Sequence, residues 1–212
     1  MKRSQSGFTL IEIAIVLVII GLLLGGVLKG QELINSAKVK NLATDFRNIP
    51  IFIYGYQDKF KALPGDDAHA DVHVSGVLAT GTIGNGIIDG NWNSTTNTNE
   101  SFLFWQHVRL AGLAPGATDI TAPDYLPLNA VGGHLGVTNA ANSPITGLRG
   151  SYIICSDGIP GKFAKQLDTT LDDGSTATGS LQVVTGSGVT ATAGIPTGML
   201  ADDTPYLVCL GI

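Results

Sequence analysis

Few residues in this chain combine a type and a spacing that could do chemistry. The first is Glu12, a carboxylate inside FTLIEIAIVLVIIGLLLGGVL, the run Phe8–Leu28, which holds no other charged residue. A charge near the middle of a hydrocarbon layer costs about 2.5–3.5 kcal/mol on insertion scales and less near an edge, so Glu12 needs a partner or a proton. The second set is DGNWNSTTNTNE, in which Asp89, Asn91, Asn93 and Glu100 fall at positions 1, 3, 5 and 12 of an EF-hand-like loop and could surround Ca²⁺ with oxygen ligands. Against Ca²⁺, Ser94 stands where that loop needs glycine and Thr96 where it has an aliphatic residue. No entering helix precedes it, and Glu100 can simply favour the start of the next helix. His69 and His73 would share a helix face and could ligate zinc, but beside Asp66, Asp67 and Asp71 they read first as a solvated polar turn. Asp172-Asp173-Gly174 likewise reads as a turn.

Cys155 and Cys209 are the only cysteines, too few for a disulfide scaffold and without metal-ligand spacing. Each falls in a short apolar run that reads as a strand. They can bridge in an oxidising compartment if their Cα atoms approach within about 7 Å; two separate buried thiols are the alternative. No Ser/His/Asp, Cys/His or phosphate-loop arrangement is recognisable, so the chain does not read as an enzyme.

These residues depend on the elements that carry them. As a helix rising about 1.5 Å per residue, the apolar run spans a hydrocarbon core of about 30 Å. Lys2 and Arg3 precede it, which favours a cytoplasmic N-terminus and places the C-terminal bulk outside. No Ala-x-Ala cleavage site follows; Leu28-Lys29-Gly30-Gln31-Glu32 leads into more helix, so the segment reads as a retained anchor rather than a secretory signal. With 212 residues, 44% hydrophobic and 28 glycines, the rest suits one globular domain. The net charge of −5 argues against nucleic acid as a partner.

Gly7-Phe8-Thr9-Leu10-Ile11-Glu12 after a short basic leader resembles the cleavage and methylation signature of type IV prepilins and the pseudopilins of type II secretion. The resemblance implies a cut by prepilin peptidase between Gly7 and Phe8, N-methylation of Phe8, and a role for Glu12 in assembly. Cutting creates an amine on Phe8, and the Glu12 carboxylate of one subunit can compensate the Phe8 amine of the next; in a low-dielectric filament core, leaving either unpaired costs more than pairing them. The segments KALPGDDAHA, GTIGNGIIDGN and FLFWQHVRLAGL also resemble a further set of pilin-like proteins. The implied partners are prepilin peptidase, membrane lipid and other pilin or pseudopilin subunits. The implied location is the bacterial cytoplasmic membrane, then a pilus or pseudopilus. A large, loop-rich outer domain suits a minor or specialised subunit. The alternative is a displayed binding or adhesion domain, Ca²⁺-dependent if the loop at 89–100 holds the ion.

Leu42, Phe46, Ile49, Ile53, Tyr56 and Phe60 keep the spacing of a helix laid on a core. Pro50 falls inside that stripe and should bend or loosen the helix; Ala62-Leu63-Pro64-Gly65 should end it. Beyond it, the sequence predicts helices over 101–113 and 162–171, strands over 151–155, 180–185 and 206–210, and surface loops over 131–142 and 185–197. The expected fold is α+β: a long N-terminal spine helix, its first half membrane-spanning, packed on a small antiparallel β-sheet domain with long loops. The expected divisions are a cleaved leader 1–7, a transmembrane helix 8–28, an extramembrane half of the spine 29–62 and an outer domain 63–212.

Overall fold

The computed structural model describes residues 9–186 and 188–212. Two compact units meet in sequence between Lys38 and Val39. Helix α1 (Leu10–Phe60) begins in the first and ends in the second.

In the first unit the side chains of α1 are exposed: Leu10, Ile11, Leu17, Leu22 and Leu24 are each more than half accessible. This stretch is long and apolar enough to cross a membrane. Lys29 and Glu32 pair at 2.6 Å, both side chains largely exposed, a contact worth little in water.

In the second unit α1 acquires a buried face. Val39, Leu42, Ala43, Phe46, Ile49, Ile53 and Tyr56 are all buried, matching the stripe in the sequence. Pro50 cannot donate to the carbonyl four residues back, yet the helix runs from Leu10 to Phe60 without a break. It stops before Pro64 is reached. Lys61 adopts a left-handed φ of 57° and its N–H bonds the Gln57 carbonyl at 2.8 Å, so a lysine takes the terminating role usual for glycine.

The remaining elements are α2 (Ala70–His73), α3 (Glu100–Leu110), β1 (Leu135–Asn139), β2 (Tyr152–Pro160), α4 (Gly161–Leu171), β3 (Leu181–Thr185) and β4 (Pro205–Gly211). The strands form one antiparallel sheet in the order β1-β2-β4-β3. Both faces are covered, which explains why the strands read as apolar runs rather than as alternating patterns. Val137, Ile154, Val183 and Val208 join the main core with α1 and α3. Ile153, Cys155, Val184, Leu207 and Cys209 face a second cluster closed by Trp92, Ile145 and Leu148.

Two expectations are corrected. The segment 131–142, expected to be a loop, contains β1, whose five residues are all buried. In its Leu-Gly-Val-Thr-Asn run the strand preference of Val137 and Thr138 is opposed by Gly136 and Asn139. Gly136 is required there because a Cβ would collide with the Trp92 carbonyl. Helix α3, predicted over 101–113, runs from Glu100 to Leu110, and Glu100 through Arg109 are buried without exception. Loop segments cover its polar face, and Arg109 Nη1 donates to the carbonyls of Ala117 (2.8 Å) and Tyr125 (2.6 Å).

Candidate functional site

Gly7, Phe8 and the basic leader lie outside the described residues, so the site at the head of α1 is built from Thr9 onward. Thr9 occupies the N-cap position and Glu12 the third helical position. The Glu12 carboxylate accepts from the Thr9 N–H at 2.8 Å and the Thr9 hydroxyl at 2.6 Å, and the Glu12 N–H points back to the Thr9 oxygen at 3.4 Å. This is a capping box, in which each residue satisfies a backbone donor of the other. The carboxylate also sits where the positive end of the helix dipole favours it. Glu12 is therefore held at the start of the apolar helix by its own chain. No basic side chain among the described residues forms an ion pair with it. The sequence reading singled out Glu12 but missed Thr9, whose signal was the T-x-x-E spacing itself.

The EF-hand-like residues lie around the start of α3. The Asp89 carbonyl accepts the Ser101 N–H at 3.0 Å, and the Asp89 N–H donates to Glu100 Oε2 at 2.7 Å. Asp89 Oδ1 accepts from Asn139 Nδ2 at 3.0 Å, and the Asn91 carbonyl accepts the Ser101 hydroxyl at 2.9 Å. Asn93 belongs to the same loop. Glu100 is buried and its carboxyl shares a hydrogen bond with that of Asp66, which requires a proton between the two. Burial first, then the charges of Asp66 and Asp89, push Glu100 up to about 7. Asp66 in turn accepts from the N–H groups of Gly84, Asn85 (3.2 Å) and Gly86 (2.6 Å). Together these contacts tie the glycine-rich loop to the head of α3.

A second polar hub lies beneath it. Buried Asp67 accepts from the Tyr56 hydroxyl at 2.8 Å and the His69 N–H at 2.9 Å, and pairs with His73 Nδ1 at 2.7 Å. His69 and His73 touch ring edge to face, with centroids 6.0 Å apart. Buried His107 accepts the Gly65 N–H at Nδ1 (2.9 Å), so its other nitrogen carries the proton and donates to the Val77 carbonyl at 2.8 Å. Burial lowers its pKa below the usual histidine value. His107 thereby clasps both ends of the segment that bears α2. Among the described residues, His69 and His73 are not part of a converging cluster of metal-type ligands; the cluster that does converge is Asp168, Asp172 and Asp173.

Cys155 and Cys209 are directly opposite each other on β2 and β4, their Cα atoms 4.1 Å apart and their sulfurs bonded. The bridge lies in the second apolar cluster and spans a sequence separation of 54.

A family model described as the prokaryotic N-terminal methylation motif matches residues 2–28. This is the type IV pilin and pseudopilin signature, and it covers the basic leader, the Gly7-Phe8 junction, Glu12 and the apolar run. No curated protein and no solved structure matches the chain.

Proposed function

We propose that this chain is a prepilin-type structural subunit, cut between Gly7 and Phe8, N-methylated on Phe8, and assembled through the apolar half of α1 into a pilus or pseudopilus. The observation that carries the reading is the methylation motif at 2–28 together with a carboxylate, Glu12, fixed at the head of a helix whose large apolar side chains from Leu10 to Leu28 are exposed. Before assembly, lipid covers those side chains, with the N-terminus on the cytoplasmic side as Lys2 and Arg3 favour. In a filament, neighbouring copies of the helix take the place of lipid.

Helix packing in an apolar medium favours small residues that let backbones approach. Gly21 and Gly25, and Gly26 and Gly30, are each four apart with open space around them. Glu12 then sets the axial register: a copy seated one step away leaves the carboxylate and the Phe8 amine unpaired, which disfavours wrong registers more than it rewards the right one. The compact unit from Val39 onward forms the outer domain. Its size and loops suit a minor or specialised subunit.

Glu12→Ala tests the reading. The variant should still insert in the membrane, since it removes only a charge, while its recovery in sheared filaments falls by at least tenfold. Filament incorporation equal to wild type would contradict a register role for Glu12.

A further inference from the structure

Three carboxylates gather at the C-terminal end of α4. Asp168 lies in the last turn, Asp172 is the C-cap and Asp173 follows it. One oxygen from each lies within 4.8 Å of the others. Their surroundings make negative charge costly in three ways. The helix C-terminus carries the negative end of the dipole, and no basic residue stands in the last turn. Among the described residues, none of the three forms an ion pair; Lys162 and Lys165 of the same helix pair with Asp203 and Asp202 instead. Asp168 itself is fully buried.

An independent observation concerns the atoms. Asp168 Oδ1 accepts the Gly174 N–H at 3.1 Å. Asp168 Oδ2 has no partner, and among the described residues it is the one buried side-chain oxygen or nitrogen left so. Buried polar atoms are rarely orphaned, and an exception needs a physical reason, a bound ion among them. The neighbouring carboxylates are held in place: Asp172 Oδ2 accepts the Leu181 N–H at 2.9 Å and Asp173 Oδ1 the Ser175 N–H at 2.8 Å.

We propose that Asp168, Asp172 and Asp173 form a divalent-cation site of the Ca²⁺ type. An all-carboxylate set is hard and has no nitrogen or sulfur to recruit zinc or copper. Ca²⁺ takes six to eight oxygen ligands in a flexible geometry, whereas Mg²⁺ demands a near-octahedral set at about 2.1 Å and sheds its waters reluctantly. Water completes the shell on the exposed side of Asp173. The ion ties the end of α4 to the start of β3, because Asp172 already bonds Leu181, the first residue of that strand. The site is distinct from the EF-hand-like loop at 89–100.

The test is calorimetric titration of the detergent-solubilised full chain, stripped with EDTA, against CaCl₂ and MgCl₂, with Tm followed in parallel. Wild type should bind Ca²⁺ with a Kd of about 0.1–1 mM, the range of extracellular modules, and gain Tm, with a weaker response to Mg²⁺. Asp168→Asn keeps an oxygen for the Gly174 N–H, and Asp173→Asn alters an exposed side chain, so both should fold, with the Ca²⁺ response lost in the first and weakened in the second. Asp89→Asn should respond as wild type does. No Ca²⁺ response in the wild type at about 10 mM, ten times the weak end of that range, would overturn the proposal. So would a response that survives Asp168→Asn, or one lost only in Asp89→Asn.

Discussion

The Glu12 carboxylate is bound by Thr9 through two donors, the backbone N–H at 2.8 Å and the hydroxyl at 2.6 Å. A charge in an apolar run needs a partner, and the chain supplies one three residues away; both donors bind Oε2, and the proposed assembly would use the remaining capacity of the carboxylate for the Phe8 amine of another subunit. Thr9→Ala removes one of the two donors and the cap, which is worth about 1 kcal/mol at a helix start. It should reduce filament yield less than Glu12→Ala does, because the backbone donor remains. Comparing sheared fractions of the two variants checks the order; equal loss would mean the hydroxyl, rather than the charge, is what assembly needs.

The Cys155–Cys209 bridge joins β2 to β4 within an apolar cluster. Closing a loop of that length stabilises by about 2–4 kcal/mol, chiefly by restricting the unfolded chain. The double variant Cys155→Ala/Cys209→Ala should therefore be less stable by that amount and unfold at a lower denaturant concentration, and treatment with dithiothreitol should lower the wild-type midpoint towards the variant's while leaving the variant unchanged.

Two buried groups give the outer domain opposing pH dependences. Glu100 titrates at about 7 in the fold against 4.5 without it, so between those values the native state holds a proton that the unfolded chain has released. Its contribution is fully present below pH 4.5 and is lost as pH rises through 7. Glu100→Gln keeps a donor for Asp66 and should stabilise the domain at pH 8 by about 1–3 kcal/mol relative to wild type, with no gain at pH 4. Denaturation curves at the two pH values measure the difference.

His107 works in the other direction. Its pKa is depressed from 6.5, so below pH 6.5 the unfolded chain binds a proton that the native state refuses, and stability falls as pH falls. His107→Leu abolishes this acid sensitivity but leaves the Gly65 N–H and the Val77 carbonyl without partners, at a cost of about 2–5 kcal/mol. A urea midpoint at pH 7.5 that is unchanged in the variant would show that the clasp at the two ends of the α2 segment contributes nothing.

What was legible in the sequence followed from signals that are local and periodic. The spine stripe from Leu42 to Tyr56, helix α4 and strands β2, β3 and β4 all show in apolar spacing or short β-rich runs bounded by Gly, Pro or Asp. Strand β1 did not, because Leu135–Asn139 forms a strand only when β2 and the Trp92 segment are beside it. The all-round burial of α3 was hidden for a similar reason: Gln106, His107 and Arg109 are polar, and it takes loops distant in sequence to supply the carbonyls and N–H groups that let them be buried. At the head of α1, Glu12 stood out as a lone charge. The polar partnerships of the outer domain, such as Asp66 with Glu100 and Asp67 with Tyr56, join residues too far apart in sequence for any spacing rule.

The central claim is processing at the Gly7–Phe8 junction, and intact-mass analysis of the protein from membranes, with and without a prepilin peptidase, tests it most directly. With the peptidase present, the mass should correspond to a chain that has lost residues 1–7 and carries one added methyl on Phe8; without it, the full-length mass should remain. A chain that keeps Met1–Gly7 in the presence of an active peptidase would contradict the account and leave a simple membrane-anchored domain in its place.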